Sequence, residues 1–353
     1  MTRASCTAGV PSQGSPHPNP PPHAGEGARR ASGGREWVER RAEASAAAPE
    51  SLPRKRGREG PAPQAREGGG HSTIGGALAE AAVGLAEAGF DEPRRRAQGL
   101  LAAALDLSAA AVFAHPERML SPAQQTRVAN MLDRMLAREP LSRIVGRREF
   151  WGLEFLLSAD TLDPRPETET VVEAVLARLP ERDRPYRFLD LGTGTGCLLL
   201  ALLSECPAAS GVGVDIAPGA IRTARQNADR LGLGRRALLV VGNWAEALAG
   251  RFDAIVANPP YIESAAIAAL PPEVKEYDPS RALDGGADGL AAYRAIAAGL
   301  RLLLLPGGIF AAEIGLGQAQ AVAAILAQQG LRIDGSAPDL AGIERCVIAR
   351  PGR

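Results

Sequence analysis

The chain has 353 residues, of which 45% are hydrophobic and 23% are charged, with 40 basic and 40 acidic side chains. This length suggests about two domains, and the apolar share excludes a wholly disordered protein. The formal net charge of +0 gives no support to a protein that coats nucleic acid or an acidic membrane, and no apolar run approaches the ~18 residues of a membrane span.

Residues 1–72 differ in composition from the rest, because they hold 10 Pro and 11 Gly. Such a segment buries too little apolar surface to offset its ordering entropy, which predicts a disordered low-complexity extension. It has no apolar h-region, so no secretory signal is predicted, although its arginines also allow a nucleic-acid arm or a transit peptide. No methionine follows Met1 until Met119, so we also hypothesise that the true start codon lies downstream. An N-terminal peptide from the natural host that maps inside residues 1–60 would contradict this hypothesis.

Residues 73–146 are predicted to form a small helical bundle. Apolar residues recur at helical spacing from residue 74 to 88, and Gly89 is a plausible stop. A second helix is predicted over Pro93–Leu105. Ser121 is a good N-cap and Pro122 a good first residue for a third helix, which is expected to reach residue 137 and to be ended by Pro140.

In residues 147–162 the apolar residues no longer recur at helical spacing. The aromatic and branched residues around Gly152 predict a β-hairpin linker. From residue 163 to 353 strands alternate with helices, which predicts an α/β domain with a mostly parallel sheet covered on both faces. The predicted strands are 187–191, 211–216, 237–241, 252–257, 308–314, 331–334 and 345–349, and the predicted helices are 168–179, 196–204, 218–231, 289–304 and 318–329. Ligands bind such sheets at the carboxyl ends of the strands.

The first of these strands runs into a glycine-rich loop, in which Gly192, Gly194 and Gly196 alternate with Thr193 and Thr195. Alternating glycines let the backbone turn tightly and approach a ligand, and the following helix offers free N–H groups. A dinucleotide fingerprint needs a third glycine at position 197, where this chain has cysteine. An ordinary tight turn is the alternative interpretation.

Asp215 ends the next strand, where a carboxylate can accept both hydroxyls of a ribose. With the glycine loop, it favours an adenosine ligand without a pyrophosphate, which S-adenosylmethionine offers. Asp190, at the tip of the first strand, can meet the ammonium group of that ligand directly or through water. After the third strand, Trp244 can stack on adenine and the Asn243 carbonyl can accept from its amino group. A tryptophan that only packs in the core is the alternative.

The fourth strand ends in Asn258, Pro259, Pro260 and Tyr261, and the two prolines stiffen this loop. A planar NH₂ group is a poor nucleophile, so an enzyme that methylates it must orient it. The Asn258 side-chain oxygen and the Pro259 carbonyl can accept its two N–H bonds, while Tyr261 packs on its flat face, so that catalysis rests on positioning and electrostatics. A purely structural Pro-Pro turn is the alternative.

Histidine and cysteine chemistry is not predicted. All four histidines lie before residue 120 and the four cysteines have no C-x-x-C spacing, which argues against His-based catalysis and against metal sites in the α/β domain. The cysteine usage also leads us to expect a cytoplasmic protein.

These motifs resemble the class I methyltransferases, dependent on S-adenosylmethionine, that act on amino groups of planar systems: DNA adenine-N6, RNA guanine-N2 and protein glutamine-N5. Other segments are similar to the HemK/PrmC family. They cover residues 140–146, 149–152, 162–169, 277–290 and 339–345, so the likeness runs from about residue 73 to 351. Two departures are Asn243, where the family often has Asp, and Asp163, where an apolar residue usually precedes Pro-Arg-Pro.

The resemblance implies a Rossmann-like class I methyltransferase fold with a seven-stranded sheet, which follows a helical domain that docks the substrate. The implied activity is transfer of a methyl group from S-adenosylmethionine to N5 of the glutamine in the Gly-Gly-Gln motif of class 1 peptide chain release factors, by a monomer without nucleic acid, membrane or metal. By the same resemblance, residues 192–196 line the methionine part of the cofactor, Asp215 holds the ribose, Trp244 flanks adenine, Asn258 touches cofactor and substrate, and residues 259–261 complete the glutamine pocket.

Three alternatives stay open. A close relative methylates a glutamine of ribosomal protein L3, but it usually carries Pro-Arg-Ser-Pro where this chain has Pro-Arg-Pro-Glu-Thr-Glu from residue 164. A nucleic-acid amino-methyltransferase is disfavoured because residues 73–353 carry a net charge of about −4. A non-enzymatic scaffold would not require Asn258.

Overall fold

The computed structural model describes residues 73–246 and 248–352, so the extension predicted over residues 1–72 lies outside the described residues. The helices are α1 Ile74–Glu87, α2 Pro93–Leu105, α3 Ala109–Ala114, α4 Pro122–Leu136, α5 Leu141–Val145, α6 Glu169–Leu176, α7 Cys197–Glu205, α8 Pro218–Arg230, α9 Pro272–Lys275, α10 Ala291–Leu303 and α11 Ala319–Gln328. The strands are β1 Arg147–Phe150, β2 Leu153–Leu156, β3 Arg187–Leu191, β4 Ser210–Asp215, β5 Ala237–Val241, β6 Phe252–Ala257, β7 Leu304–Glu313, β8 Leu331–Pro338 and β9 Glu344–Pro351. Between residues 73 and 352, none of the described helices has the length and apolar character that crossing a membrane requires.

Helices α1 to α5 share one apolar core, and α1, α2 and α4 are the three helices that the sequence predicts. The start of α4 follows the predicted chemistry, since Ser121 and Gln124 exchange side-chain and backbone hydrogen bonds in a capping box. Gly89 follows α1 in the left-handed conformation (φ 72°), which is the geometry of a helix stop.

Two helices in this region were not predicted. Ser108 caps the short α3 by accepting a hydrogen bond from the Ala111 N–H, and a serine at this position is a helix-start signal in the sequence. Helix α5 begins directly after Pro140, a residue whose predicted role is only to end the preceding helix. Proline also suits the start of a helix, because its fixed φ fits there and its missing N–H is not needed.

The α/β part is built on a seven-stranded sheet in the order β5-β4-β3-β6-β7-β9-β8. All pairs from β5 to β7 are parallel, while β9 is antiparallel to both β7 and β8. One apolar cluster, which includes residues of α6, α7 and α8, packs on one face of the sheet, and a second, with α10 and α11, packs on the other. The predicted mostly parallel, seven-stranded sheet is therefore confirmed. The strand order reverses beside β3, and this is where open α/β sheets bind ligands.

Most predicted boundaries hold within a few residues, and β3, β5 and β6 match in full. Two differences concern the start of β7 and the start of α6. Strand β7 begins at Leu304, not at residue 308, because Leu304 pairs with Phe252 and an irregularity in the register absorbs the glycines that follow. The helix predicted over 168–179 is a 3-10 turn over Pro166–Thr168 followed by α6.

A buried ionic cluster ties the helical part to the α/β part and explains Asp163. The Asp163 side chain accepts a hydrogen bond from Ser142 Oγ at 2.6 Å, and its backbone N–H donates to Asp278 Oδ1 at 3.3 Å. Asp278 in turn accepts from Arg143 Nη2 of α5 and, at 2.6 Å, from Arg165 Nη2. The family-like segment over residues 162–169 is therefore anchored on α5 through Asp163 and Arg165.

Candidate active site

A cavity of about 290 Å³ opens at the carboxyl ends of the central strands, beside the point where the strand order reverses. Ten of the residues predicted to form the site line it: Asp190, Gly192, Thr193, Gly194, Thr195, Asp215, Asn243, Trp244, Asn258 and Pro260. Gly196, Pro259 and Tyr261 are not among its lining residues. The structure therefore brings the motifs that follow β3, β4, β5 and β6 to one cavity.

The glycine loop has the backbone that its sequence predicts. Gly192, Gly194 and Gly196 have φ values of 78°, 55° and 85°, a left-handed conformation that favours glycine. A Cβ atom at Gly192 would lie 3.2 Å from the Trp244 ring. Trp244 therefore lies against the loop, and it also packs against the apolar core while lining the cavity. Its stacking on adenine stays a prediction.

Asp215 is held by the loops on both sides of it. Its Oδ2 accepts a hydrogen bond from the Gly194 N–H and its Oδ1 from the Ala217 N–H, each at 2.9 Å. Burial raises the pKa of this carboxyl. Each carboxylate oxygen has a second lone pair, so Asp215 can still accept two hydroxyls in the cavity.

Asp190 is buried in the cavity wall with one of its oxygens unpaired. Oδ2 accepts a hydrogen bond from Thr193 Oγ1 at 2.6 Å, whereas Oδ1 has no partner. Burial raises the pKa of Asp190 to about 7. A buried polar atom without a partner is costly. Because Asp190 lines the cavity, its carboxyl group is a candidate for pairing, directly or through water, with a cation such as the ammonium group of S-adenosylmethionine.

At the far end of the predicted cofactor site, Asn243 has its amide group oriented by a neighbour. Its Nδ2 donates to Glu246 Oε1, so its carbonyl oxygen is left free to accept another hydrogen bond. The departure from the Asp found in similar sequences therefore keeps an acceptor at this position.

Asn258 belongs to a chain of hydrogen bonds that continues behind the cavity wall. Its Nδ2 donates to Thr168 Oγ1 at 3.0 Å, and Thr168 Oγ1 donates to Glu313 Oε2 at 2.5 Å. Tyr261 donates from its hydroxyl to the other oxygen, Glu313 Oε1, at 3.1 Å. Glu313 is 2% exposed, and burial raises its pKa to about 7.

Sequence reasoning missed Glu313 and two residues that line the cavity, Thr168 and Arg281. A signal existed for Glu313, because an acid ends the apolar strand β7 next to the strand that carries Asn258. A signal also existed for Thr168, which lies in the Pro-Arg-Pro-Glu-Thr-Glu motif but was read there as part of a helix start. Their pairing crosses 145 positions of the chain, which no local pattern reveals.

The family of this chain follows from comparison with known proteins. Residues 76–146 match the family described as PrmC N-terminal domain, and residues 157–270 match the methyltransferase small domain. A release factor glutamine methyltransferase of Rhodospirillum rubrum is 53% identical over 277 residues, which are 78% of this chain and 85% of that protein. The chain belongs to the release factor glutamine methyltransferase family.

Two further similar proteins carry related names. The protein of that name from Agrobacterium fabrum is 44% identical over 286 residues, which cover 80% of this chain and 99% of that protein. A solved protein-(glutamine-N5) methyltransferase (release factor-specific) from Alicyclobacillus acidocaldarius is 28% identical, with 54% of this chain and 94% of that chain covered and a TM-score of 0.34.

Membership confirms the resemblance seen in the sequence. The protein is an enzyme with the class I S-adenosylmethionine-dependent methyltransferase fold, preceded by a domain of the PrmC N-terminal type. The roles of the individual cavity residues stay predictions.

Proposed function

We propose that this protein transfers a methyl group from S-adenosylmethionine to the N5 amide nitrogen of the glutamine in the Gly-Gly-Gln motif of class 1 peptide chain release factors. The observation that carries the proposal is that Asn258 lines the same cavity as Asp190 and Asp215. One wall thus offers carboxylates to an adenosine-bearing cation, and another offers amide-binding groups. The names of the relatives supply the substrate class.

Asp190, Asp215, Trp244 and the glycine loop would hold S-adenosylmethionine, whose sulfonium supplies an electrophilic methyl group. Asn258 Oδ1 and the Pro259 carbonyl would accept the two N–H bonds of the glutamine side chain. They orient its nitrogen and stabilise the positive charge that develops there. As the N–C bond forms, the S–C bond breaks, and the alkylated amide, which is a strong acid, then loses a proton to solvent. No histidine or metal is required.

We further propose that residues 73–146 and the hairpin linker over residues 147–162 dock the release factor, while the domain over residues 163–353 carries out the transfer. The buried cluster around Asp278 joins these parts, so the docking surface is held in a fixed place relative to the cavity wall. A release-factor substrate implies that the enzyme acts in the cytoplasm.

The test is a methyl-transfer assay with labelled S-adenosylmethionine and three separate acceptors: purified class 1 release factor, ribosomal protein L3 and DNA. Label in the release factor, and its loss when the Gly-Gly-Gln glutamine is replaced by alanine, supports the proposal. Label in L3 or in DNA but not in release factor contradicts it. Mutation of the acceptor glutamine is the matched control for methylation elsewhere on the substrate.

A further inference from the structure

The hydrogen bonds behind Asn258 have a fixed direction when Glu313 is ionised. A carboxylate accepts hydrogen bonds but cannot donate them. Thr168 Oγ1 lies 2.5 Å from Glu313 Oε2, and the Tyr261 hydroxyl lies 3.1 Å from Oε1. Both hydroxyls must therefore give their single hydrogen to Glu313.

This direction determines how the amide of Asn258 is turned. Thr168 has used its only hydrogen on Glu313, so towards Asn258 it can only accept. It therefore pairs with the NH₂ end of the amide, in agreement with the 3.0 Å contact to Nδ2. The carbonyl end of Asn258 is then left for the cavity that this residue lines.

The orientation matters because an asparagine amide has two chemically opposite ends of nearly the same shape. Only the carbonyl end can accept the N–H of a glutamine side chain. With the NH₂ end towards the cavity, the site would repel that N–H and would instead favour a carboxylate.

We propose that Thr168 and Glu313 are positioning residues that hold the Asn258 side-chain oxygen towards the substrate amide, and that they thereby set the preference of the site for glutamine over glutamate. This inference rests on the proposed function. Glu313 does not line the cavity and acts through Thr168. Tyr261, held by the other oxygen of the same carboxylate, stiffens the loop that carries Asn258.

The ionisation state of Glu313 controls this arrangement. A protonated Glu313 can donate to Thr168, whose hydrogen is then free to point at Asn258 and to favour the opposite amide orientation. The groups that act on Glu313 are Tyr261 and Tyr293, the cation Arg345, the acid Glu167 and the neighbouring thiols Cys197 and Cys346. Because burial raises the pKa of Glu313 to about 7, the productive orientation gains population as the pH rises through neutrality.

The first experiment compares Thr168→Val with Thr168→Ser. Valine keeps the shape but removes the hydroxyl, so we expect kcat with release factor to fall by about 100-fold, and serine to restore most of it. A second readout is the ratio of dissociation constants for release factors that carry Gly-Gly-Gln and Gly-Gly-Glu. We expect this preference to shrink by about tenfold in Thr168→Val and to return in Thr168→Ser.

A purely structural role of Thr168 would lower activity without changing the glutamine preference. The dissociation constant of S-adenosylmethionine and the melting temperature, measured for each variant, show that the fold and cofactor site are intact. Thr168→Val with an unchanged preference for Gly-Gly-Gln overturns the inference.

The second experiment uses Glu313→Gln, which cannot ionise and can either accept or donate. At saturating S-adenosylmethionine, wild-type kcat should rise with pH and level off above about 7, whereas the variant should be slower by about tenfold and show no such rise. The same rise in Glu313→Gln contradicts the inference. If the wild-type enzyme does not methylate release factor at all, the proposed function fails; if it does and these variants behave like wild type, only the positioning role fails.

Discussion

Asp190 and Glu313 are two buried carboxyl groups whose environments differ in one decisive respect. Burial raises the pKa of each to about 7. Asp190 lines the cavity and keeps one oxygen without a partner. Glu313 lies behind the wall, and both of its oxygens accept hydrogen bonds from protein hydroxyls. The first group is prepared for a ligand, while the second is already satisfied and organises the residues in front of it.

The comparison shows that a perturbed pKa does not by itself identify a group that touches a ligand. The unpaired oxygen distinguishes the two cases. We therefore divide the site into a cofactor half, with Asp190 and Asp215, and an amide half, with Asn258 backed by Thr168 and Glu313. Variants in the two halves should affect different kinetic constants.

The largest effect is expected for Asn258→Ala in the amide half. Methyl transfer should fall by about 1,000-fold, because the group that orients the substrate nitrogen and stabilises its developing charge is removed. The affinity for S-adenosylmethionine, measured by calorimetry, should fall far less. An equal loss of affinity and rate would show that Asn258 is mainly a cofactor contact and would remove the division between the halves.

The opposite pattern is expected for Asp215→Ala in the cofactor half. The change removes the acceptor of the Gly194 and Ala217 N–H groups, which is also the acceptor proposed for the two ribose hydroxyls of the cofactor. The dissociation constant of S-adenosylmethionine should rise by about 10- to 100-fold, while kcat at saturating cofactor changes less. A variant with normal affinity and a low kcat would place Asp215 in the amide half.

A smaller effect is expected in the pH dependence of cofactor binding. In the free enzyme Asp190 is largely protonated below about pH 7, and a cation beside it favours the carboxylate, so binding releases a proton. Affinity for S-adenosylmethionine should therefore increase with pH, by at most about tenfold per pH unit, and level off near pH 7. Asp190→Asn should abolish this dependence, whereas Glu313→Gln should retain it; a dependence that survives in Asp190→Asn would contradict the assignment.

The cofactor half was predictable from sequence because its parts are close in the chain. The contact between the Gly194 N–H and Asp215 spans 21 positions, and each strand of the alternation ends in a residue of distinctive chemistry. Strands β3, β5 and β6 are fixed by short apolar runs between clear turn signals. The positive φ values of the glycine loop follow from the absence of a side chain.

The amide half was predictable only in part. The residue types in the loop from Asn258 to Tyr261 predict an amide-binding function. The contacts of this loop with Thr168 and Glu313 could not be predicted, because they depend on the strand order that brings β7, which ends in Glu313, beside β6. The burial of Asp163 could not be predicted either, because it depends on hydrogen bonds with Ser142 and with Asp278, which lies far away in the chain. Buried polar networks join distant segments, so local patterns do not reveal them.

The most direct test of the proposed glutamine methylation is to identify the methylated atom. After incubation of class 1 release factor with the enzyme and S-adenosylmethionine, tandem mass spectrometry of the peptide that contains Gly-Gly-Gln should locate one added methyl group on the glutamine side chain. This product is expected with the wild-type enzyme and should be nearly absent with Asn258→Ala. A methyl group on any other residue, or an unmodified glutamine after complete reaction with another acceptor, would contradict it.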